Sequence, residues 1–427
     1  MTDIHGEWII LLTGTLAASS CALLGTFLVL RQMSLLGDAL SHAVLPGIAI
    51  AFFFTESRAI LPMFLGAASF GLITTLLVES FHRRWNVPED ASIGIVFTAL
   101  FALGVVLISA YAGQVDLDQE CVLYGEIAYT PWDILLWGDT DIGPRPIWIL
   151  SSVLVLNLLF IALFYKELVI ASFDPAMAIS VGINATLVHY LLMGAVSITT
   201  VASFESVGAI LVVALLIVPG AAAYLWSDRL STVLMTATFF GITSAIAGYY
   251  LAGIINSSIA GTIVVILGLI FSLSVFFAPR QGLLAQFVHR ALLSIKIAQD
   301  HMLLTMVRAA EVDSEYRSMS SQLLEQASVN SVVARIALNR LRSREFLQNT
   351  VTGLRLTEEG RKKGLRLLRS HRLWETYLNE LGLQSDHVHE PADILEHYID
   401  EQLQRDIDDQ VPDREFDPQG KEIPPTS

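Results

Sequence analysis

TLVHYLLMGAVSITTVASFESVGAILVVALLIVPGAAAYLW, residues 186–226, runs for 41 positions with His189 and Glu205 as its only groups that ionise near neutral pH. A bilayer core takes roughly 20 residues of helix, so this stretch is long enough for two spans with almost no break between them. Only helices and closed barrels satisfy their backbones in lipid, and runs this long and continuous are helices. Working outward, apolar stretches recur at about 8–30, 36–54, 60–80, 91–110, 146–165, 230–252 and 257–278. The pattern predicts an all-α polytopic membrane body of eight or nine transmembrane helices, ending near residue 280.

Charge follows the same division. Residues 1–280 hold 26 charged side chains, and residues 281–427 hold 41 in about half that length. A membrane body with a soluble tail fits this split; a single globular enzyme does not. The net charge of −15 argues against a strongly basic nucleic-acid protein, while leaving room for a local basic face. Cys21 and Cys121 lie a hundred residues apart, which gives neither a disulfide framework nor a cysteine metal site. The opening MTDIHGEW carries Asp3 and Glu7, and no Lys or Arg occurs before Arg31, unlike a secretory signal, so no cleavage is expected.

With nine spans, Arg31, Arg83, Arg84, Lys166, Arg229 and Arg280 fall on one side, and Arg58 and Arg145 on the other. The excess of basic residues marks the cytoplasmic side. The amino terminus is then outside, the tail inside, and the loop 111–145 with Asp116, Asp118, Glu120, Asp139 and Asp141 outside. No G-x-x-x-x-G-K-[ST] loop occurs, so ATP driving transport would need a separate subunit. Neither a Ser-His-Asp layout nor a zinc-protease helix points to an intramembrane enzyme. Transport is the leading class.

The sharpest feature of the spans is SLLGDALSHAVLPGIAIAF, residues 34–52. Asp38 and His42 are four apart and share one helix face. A carboxylate and an imidazole at that spacing can clasp a divalent cation, and suit Mn, Fe or Zn rather than a thiolate-seeking metal. Pro46 and Gly47 open the backbone nearby, as transporters tolerate where a segment lines a cavity. Alternatively, Asp38 caps the helix start and His42 packs against a neighbour. An ionisable side chain in a span is costly, which favours ligands. Glu205 sits either inside a span, where it needs a metal, a proton or a partner, or at a turn, where water suffices. His189 is more simply satisfied by a hydroxyl than by a metal. The loop KELVIASFDPAMAISVGI, residues 166–183, follows Asp-Pro with small apolar residues that can form a short amphipathic helix, a docking knob for a motor subunit or an ordinary turn.

In the tail, three helical runs over 281–345 precede two short β-like stretches around NTVTGLRLTEEG and a basic helix GRKKGLRLLRSHRLWETYL. That order spells a winged helix, expected over 295–370 after a linker at 281–294, with a helical metal-binding and dimerisation part over 371–425. Arg335, Arg340, Arg342 and Arg344, with Lys362 and Lys363, form a local basic face. Phosphate contacts to DNA would need several of them together, and a solvated helix face would look the same. His371, Glu375, His389, Asp393, Glu396 and His397 gather within 27 residues. Asp393 with Glu396 and His397, and His371 with Glu375, have helical one-face spacing.

GDALSHAVLPGIA, PEDASIGIVFTALFALGVVLIS, FDPAMAISVGI and VASFESVGAILVVALLIVP, in that order over about residues 8–280, resemble the permease subunits of ATP-binding-cassette importers for manganese, zinc or iron. The resemblance implies a permease homodimer in the bacterial cell membrane and an ATPase pair docked on Phe173, Asp174, Pro175 and Gly182. It also implies an extracytoplasmic metal-binding protein as donor and a metal path lined by Asp38 and His42. LTEEGRKKGLRLLRSHRLWETYLNELGL, HVHEPADILEHYIDEQL and the closing DPQGKEIPP resemble iron- and manganese-dependent repressors of the diphtheria-toxin-repressor type. That second resemblance implies Asp393, Glu396 and His397 as main ligands, His371, Glu375 and His389 as a second set, and Met302 near a first-helix ligand position. An oxygen ligand at Asp393, where iron sensors have cysteine, favours manganese. The combined expectation is a Mn(II) importer permease, with Fe(II) and Zn(II) behind, carrying a cytoplasmic metal-sensing tail. The competing classes are a membrane-tethered regulator that binds DNA through the tail, against which nine spans weigh, and a proton-coupled carrier.

Overall fold

The computed structural model describes residues 4–55, 60–111, 126–137, 140–312, 316–326, 330–351, 353–384, 387–395, 403, 406–407 and 416–425. Asp116, Asp118, Glu120, Cys121 and Asp139 lie outside these residues. The chain divides into two compact units, Met1–Ala285 and Gln286–Ser427.

The first unit is helical, as its uninterrupted apolar runs require. In order come α1 (Ile4–Leu30), α2 (Leu35–Ala43), α3 (Leu45–Thr55), α4 (Ile60–Trp85), α5 (Glu89–Tyr111), α6 (Arg145–Phe173), α7 (Pro175–Ser180), α8 (Ala185–Val207), α9 (Ala209–Tyr224), α10 (Leu230–Ile255) and α11 (Ile259–Phe277). A 3-10 turn at Ile127–Trp132 and a hairpin of β1 (Ile134–Trp137) and β2 (Thr140–Pro144) precede α6. Among the described residues, eight segments are long and apolar enough to cross a membrane, α2 and α3 counting as one, and α9 is a shorter apolar helix. The long run 186–226 therefore does divide. Gly208 takes φ +84° between α8 and α9, a conformation that side-chain-bearing residues rarely adopt.

Local chemistry sets several other ends. Asp174 accepts from the Met177 amide at 2.9 Å and Asn184 from the Leu187 amide at 3.0 Å, each capping the following helix. Asn256 ends α10 in the left-handed region. Pro46, in the first turn of α3, lacks the N–H that would continue the α2 ladder, and the helix breaks at Val44.

α1 is the hub, packed against α6, α8, α9 and α10, while α2, α3, α4 and α5 pack on one another and reach the rest through contacts of α2 and α4 with α8 and of α2 with α9. Small residues allow the closest approaches, as is usual between helices in lipid. A Cβ on Gly25 would stand 1.9 Å from the Leu216 carbonyl oxygen, in the backbone of α9. Gly25→Ala is therefore expected to push α1 from α9 at about 1–3 kcal/mol. The reading is a melting temperature in detergent lower by about 5 °C. Gly268→Ala, where nothing lies within 4 Å, is the control; an equal drop in both would remove the close-approach argument.

The second unit has its own core of Ile295, Ala298, Met302, Leu303, Met306, Leu323, Ala334, Ala337, Leu338, Leu341, Leu347 and Leu354. These come from α12 (Leu283–Val312), α13 (Ser320–Gln326), α14 (Ser331–Ser343), β3 (Leu347–Thr350) and β4 (Gly353–Leu356). The two strands pair antiparallel from Leu347↔Leu356 to Thr350↔Gly353, and α15 (Glu358–Glu380) follows, capped by Thr357. Helix, helix, helix, hairpin, helix is the order of a winged helix. Two boundaries differ from expectation. Residues 281–294 are helical from Leu283 on rather than a linker. The division at 370/371 falls inside α15, because the run from Glu358 to Glu380 contains no helix breaker.

Candidate metal sites

Asp38 and His42 sit on α2, just before the break at Val44. The His42 Nε2 and Asp38 Oδ1 atoms are 4.0 Å apart, with side chains 32% and 54% exposed. That gap is too long for a hydrogen bond, yet one ion about 2.1 Å from each atom would bridge it. Asp38 is the fourth residue of α2, past the positions from which a side chain caps the first N–H groups, and Ser34 holds the N-cap position. The capping alternative loses its geometry there. His42 is flanked by Phe97 and Phe101, with ring centroids 5.6 and 5.5 Å away. Its buried Nδ1 has no hydrogen-bond partner among the described residues, a cost that usually marks a functional position.

Glu205 is the third residue from the end of α8, and its partly exposed carboxylate accepts from Arg145 at the start of α6. Asp133 stands 3.3 Å from the same guanidinium. Glu205 is thus an ion-pair partner near a helix end. At the other end of α8, His189 is buried, with Nε2 3.1 Å from Glu79 Oε2 and Nδ1 3.4 Å from an Arg31 nitrogen. Glu79 also accepts from Arg83. The hydroxyl expected for His189 is a carboxylate instead. These partners lie 60 to 158 positions from Glu205 and His189 in the chain, so local sequence carried no sign of them. A cavity of about 320 Å³ opens beside this cluster, lined also by His82, Glu89 and Pro175.

The Phe173–Gly182 stretch forms the short helix expected of it. Pro175 starts α7 under the Asp174 cap; Gly182 at φ +88° closes it; Phe173, Met177, Ile179 and Val181 are exposed. An exposed apolar knob of this kind is suited to docking.

In the tail, His371, Glu375 and His389 converge. The His371 and Glu375 side chains, one turn apart on α15, are buried, with His371 Nε2 3.1 Å from Glu375 Oε1. His389, which opens α16 (His389–Leu395), brings Nδ1 to 2.7 Å from that oxygen and 3.1 Å from His371 Nε2. The three donor atoms lie within 4.8 Å of one another. Their spacing approaches the edge of about 3.3 Å that bonds of about 2.0–2.1 Å give around a tetrahedral ion. Burial would raise the Glu375 pKa, but hydrogen bonds and charge from His371 and His389 outweigh it and hold the carboxyl below its ordinary value. The anion is thereby kept ready for a cation.

Gln419, which sequence reasoning missed, approaches Glu375 at 3.5 Å from the closing segment. Arg372, which also bonds Glu311 of α12 at 2.7 and 2.9 Å, fastens that segment by donating to the Glu422 carbonyl and standing 3.6 Å from Asp417. Met302 is buried in the tail core. Asp393 is placed on α16, one turn past His389, but its side chain lies outside the described residues, as do Glu396 and His397 entirely. Arg335, Arg340 and Arg344 are exposed, Arg342 donates to Ser320, and Lys363 stands over the Phe346 ring.

Residues 8–278 match the ABC 3 transport family, and residues 357–425 match the metal binding and dimerisation domain of the iron dependent repressors. The manganese transport system membrane protein MntD of Bacillus subtilis is 50% identical over 279 residues, 65% of this chain and 94% of that protein. The zinc transport system membrane protein TroD of Treponema pallidum is 42% identical over 66% of this chain and 77% of its own. Among solved structures, PsaBC from Streptococcus pneumoniae, in complex with a Fab, aligns with a TM-score of 0.55 at 32% identity, covering 65% of this chain and 94% of that one.

Proposed function

We propose, from the premise that this chain belongs to the ABC 3 transport family, that it is the permease of an ATP-driven importer of divalent transition metal ions, with Mn(II) as principal cargo. The observation that carries this reading is the pair Asp38 and His42 beside a break in a buried helix, within a match that runs from residue 8 to 278. A hard carboxylate with a borderline imidazole suits Mn(II), Fe(II) and Zn(II). Two ligands hold such an ion loosely enough to release it, which a path requires and a storage site does not. The relatives' names supply manganese and zinc as cargo.

With a second copy of the chain, the α7 knobs engage a pair of ATP-binding-cassette subunits, and an extracytoplasmic binding protein delivers the ion. The tail is cytoplasmic and reads internal metal through His371, Glu375 and His389, with Asp393, Glu396 and His397 as the main set. The deciding experiment is uptake of radiolabelled Mn(II), Fe(II) and Zn(II) by proteoliposomes holding the chain and its ATPase. ATP-dependent uptake with Mn(II) foremost is expected. Uptake driven by a proton gradient without the ATPase would instead make the chain a proton-coupled carrier.

The sidedness has its own test. The six basic residues on one side against two on the other put residue 427 in the cytoplasm. A fluorescent reporter fused there is expected to mature, and an export-dependent phosphatase to stay inactive. The opposite result would invert every loop.

A further inference from the structure

α12 runs from Leu283 to Val312, and only from Ile295 onward does it enter the tail core. In its first three turns Leu283, Leu284, Phe287, Val288 and Leu292 are between 47% and 72% exposed. At about 100° per residue these five and Ala291 fall on about one half of the circumference, and Gln286, His289, Arg290 and Leu293 on the other. A contiguous apolar face of this kind in water calls for a cover.

Two observations name the cover. The first is continuity. α11 carries outward-facing Leu269, Leu273, Phe276 and Phe277, exposed as a lipid-facing surface is. Only residues 278–282 separate it from α12, and they are drawn tight by the bond from the Gly282 amide to the Ala278 carbonyl at 3.0 Å. α12 therefore starts within about 20 Å of where the last span leaves the bilayer. The second is charge. The chain's net charge is −15, yet no Asp or Glu occurs between Asp228 and Asp300, while Arg280, His289, Arg290 and Lys296 all lie near the start of α12. Arg280 pairs with Asp228; the others follow on α12 itself. An apolar half-cylinder with basic residues beside it, in an otherwise acidic protein, is the pattern of a helix lying on an anionic lipid surface.

We infer that residues 283–293 form an interfacial helix, its apolar half sunk about 5–10 Å into the headgroup–acyl boundary. Arg290 and Lys296, at the two edges of the polar half, reach for anionic headgroups. The assignment rests on the reading above only for which leaflet is occupied. The test uses the full chain with benzoylphenylalanine in place of Phe287, or of His289 as the opposite-face control. Each is reconstituted in nanodiscs of phosphatidylcholine with or without phosphatidylglycerol, irradiated, and its adducts identified by mass spectrometry.

Phospholipid adducts are expected several-fold more often from position 287 than from 289, and more often in the anionic discs. Arg290→Gln with Lys296→Gln should abolish the difference between the two discs and keep the adduct at 287. Crosslinks from 287 to a second copy or to another part of the chain, or equal labelling from both positions, would overturn the interfacial helix. A disc difference that survives the double substitution would overturn the headgroup contact. Since lipid labelling does not depend on the leaflet, a reporter found outside would sink the sidedness and leave this inference standing.

Discussion

Alanine at Asp38 or at His42 is expected to reduce Mn(II) uptake on the order of 100-fold, with the chain still present in the membrane at its usual amount. Outer-shell partners of metal ligands already cost tenfold to a hundredfold when removed, so a direct ligand of a two-ligand site belongs at the upper end. At about 1.4 kcal/mol per factor of ten, the loss corresponds to about 3 kcal/mol of ion stabilisation in the path. Asp38 is half exposed and caps nothing, so removing it should leave the fold intact. His42 fills space between Phe97 and Phe101, so Asp38→Asn is the cleaner partner experiment. It keeps shape and removes charge, and should be nearly as inactive as Asp38→Ala. Near-normal uptake in all three variants would make the pair an ordinary buried-helix detail and return the search for the path to the rest of the bundle.

That pair was legible because both of its members lie on one turn of one helix. The spans were legible for a similar reason, since lipid forces each to satisfy its backbone locally. The same logic fails for Glu205 and His189. Their partners are Arg145 and Asp133, and Glu79 and Arg31, on other helices; nothing in a local window marks which distant residue a folded bundle will bring near. Glu205's two readings, inside a span or at a turn, are decided by Gly208, whose positive φ ends α8 three residues later. The tail repeats the lesson. His371 and Glu375 show their helical spacing in sequence, but their approach to His389 depends on the chain after α15, and Gln419 arrives on a closing segment that Arg369 and Arg372 bond through the Pro424 and Glu422 carbonyls. The 281–294 stretch reads in sequence as a short connection between the last span and the tail, yet it is helical from Leu283 on. Its helicity and its exposed face are what make a lipid surface the natural partner.

Raising cytosolic Mn(II) is expected to slow uptake by the parent chain and to leave uptake by Glu396→Ala with His397→Ala unchanged, with Glu375→Ala intermediate. His371, Glu375 and His389 stand together, joined by hydrogen bonds to one Glu375 oxygen. An ion that replaces those bonds must displace protons from the imidazoles, so its binding competes with protonation. The larger bias is expected from Asp393, Glu396 and His397, the set that the repressor resemblance implies as main ligands, and the double variant is placed there for that reason. A tenfold difference in affinity between two tail arrangements supplies about 1.4 kcal/mol, enough to shift a nearly balanced equilibrium several-fold. Feedback inhibition is the expected sign, because an importer that slows when its product accumulates keeps internal metal steady. The measurement is initial uptake rate against internal Mn(II) in proteoliposomes preloaded with buffered metal. Coincident curves for parent and variants would mean that the tail is not a metal-operated gate. The exposed Arg335, Arg340 and Arg344 beside the winged hairpin would then make operator binding by the full chain, assayed with and without Mn(II), the next function to measure.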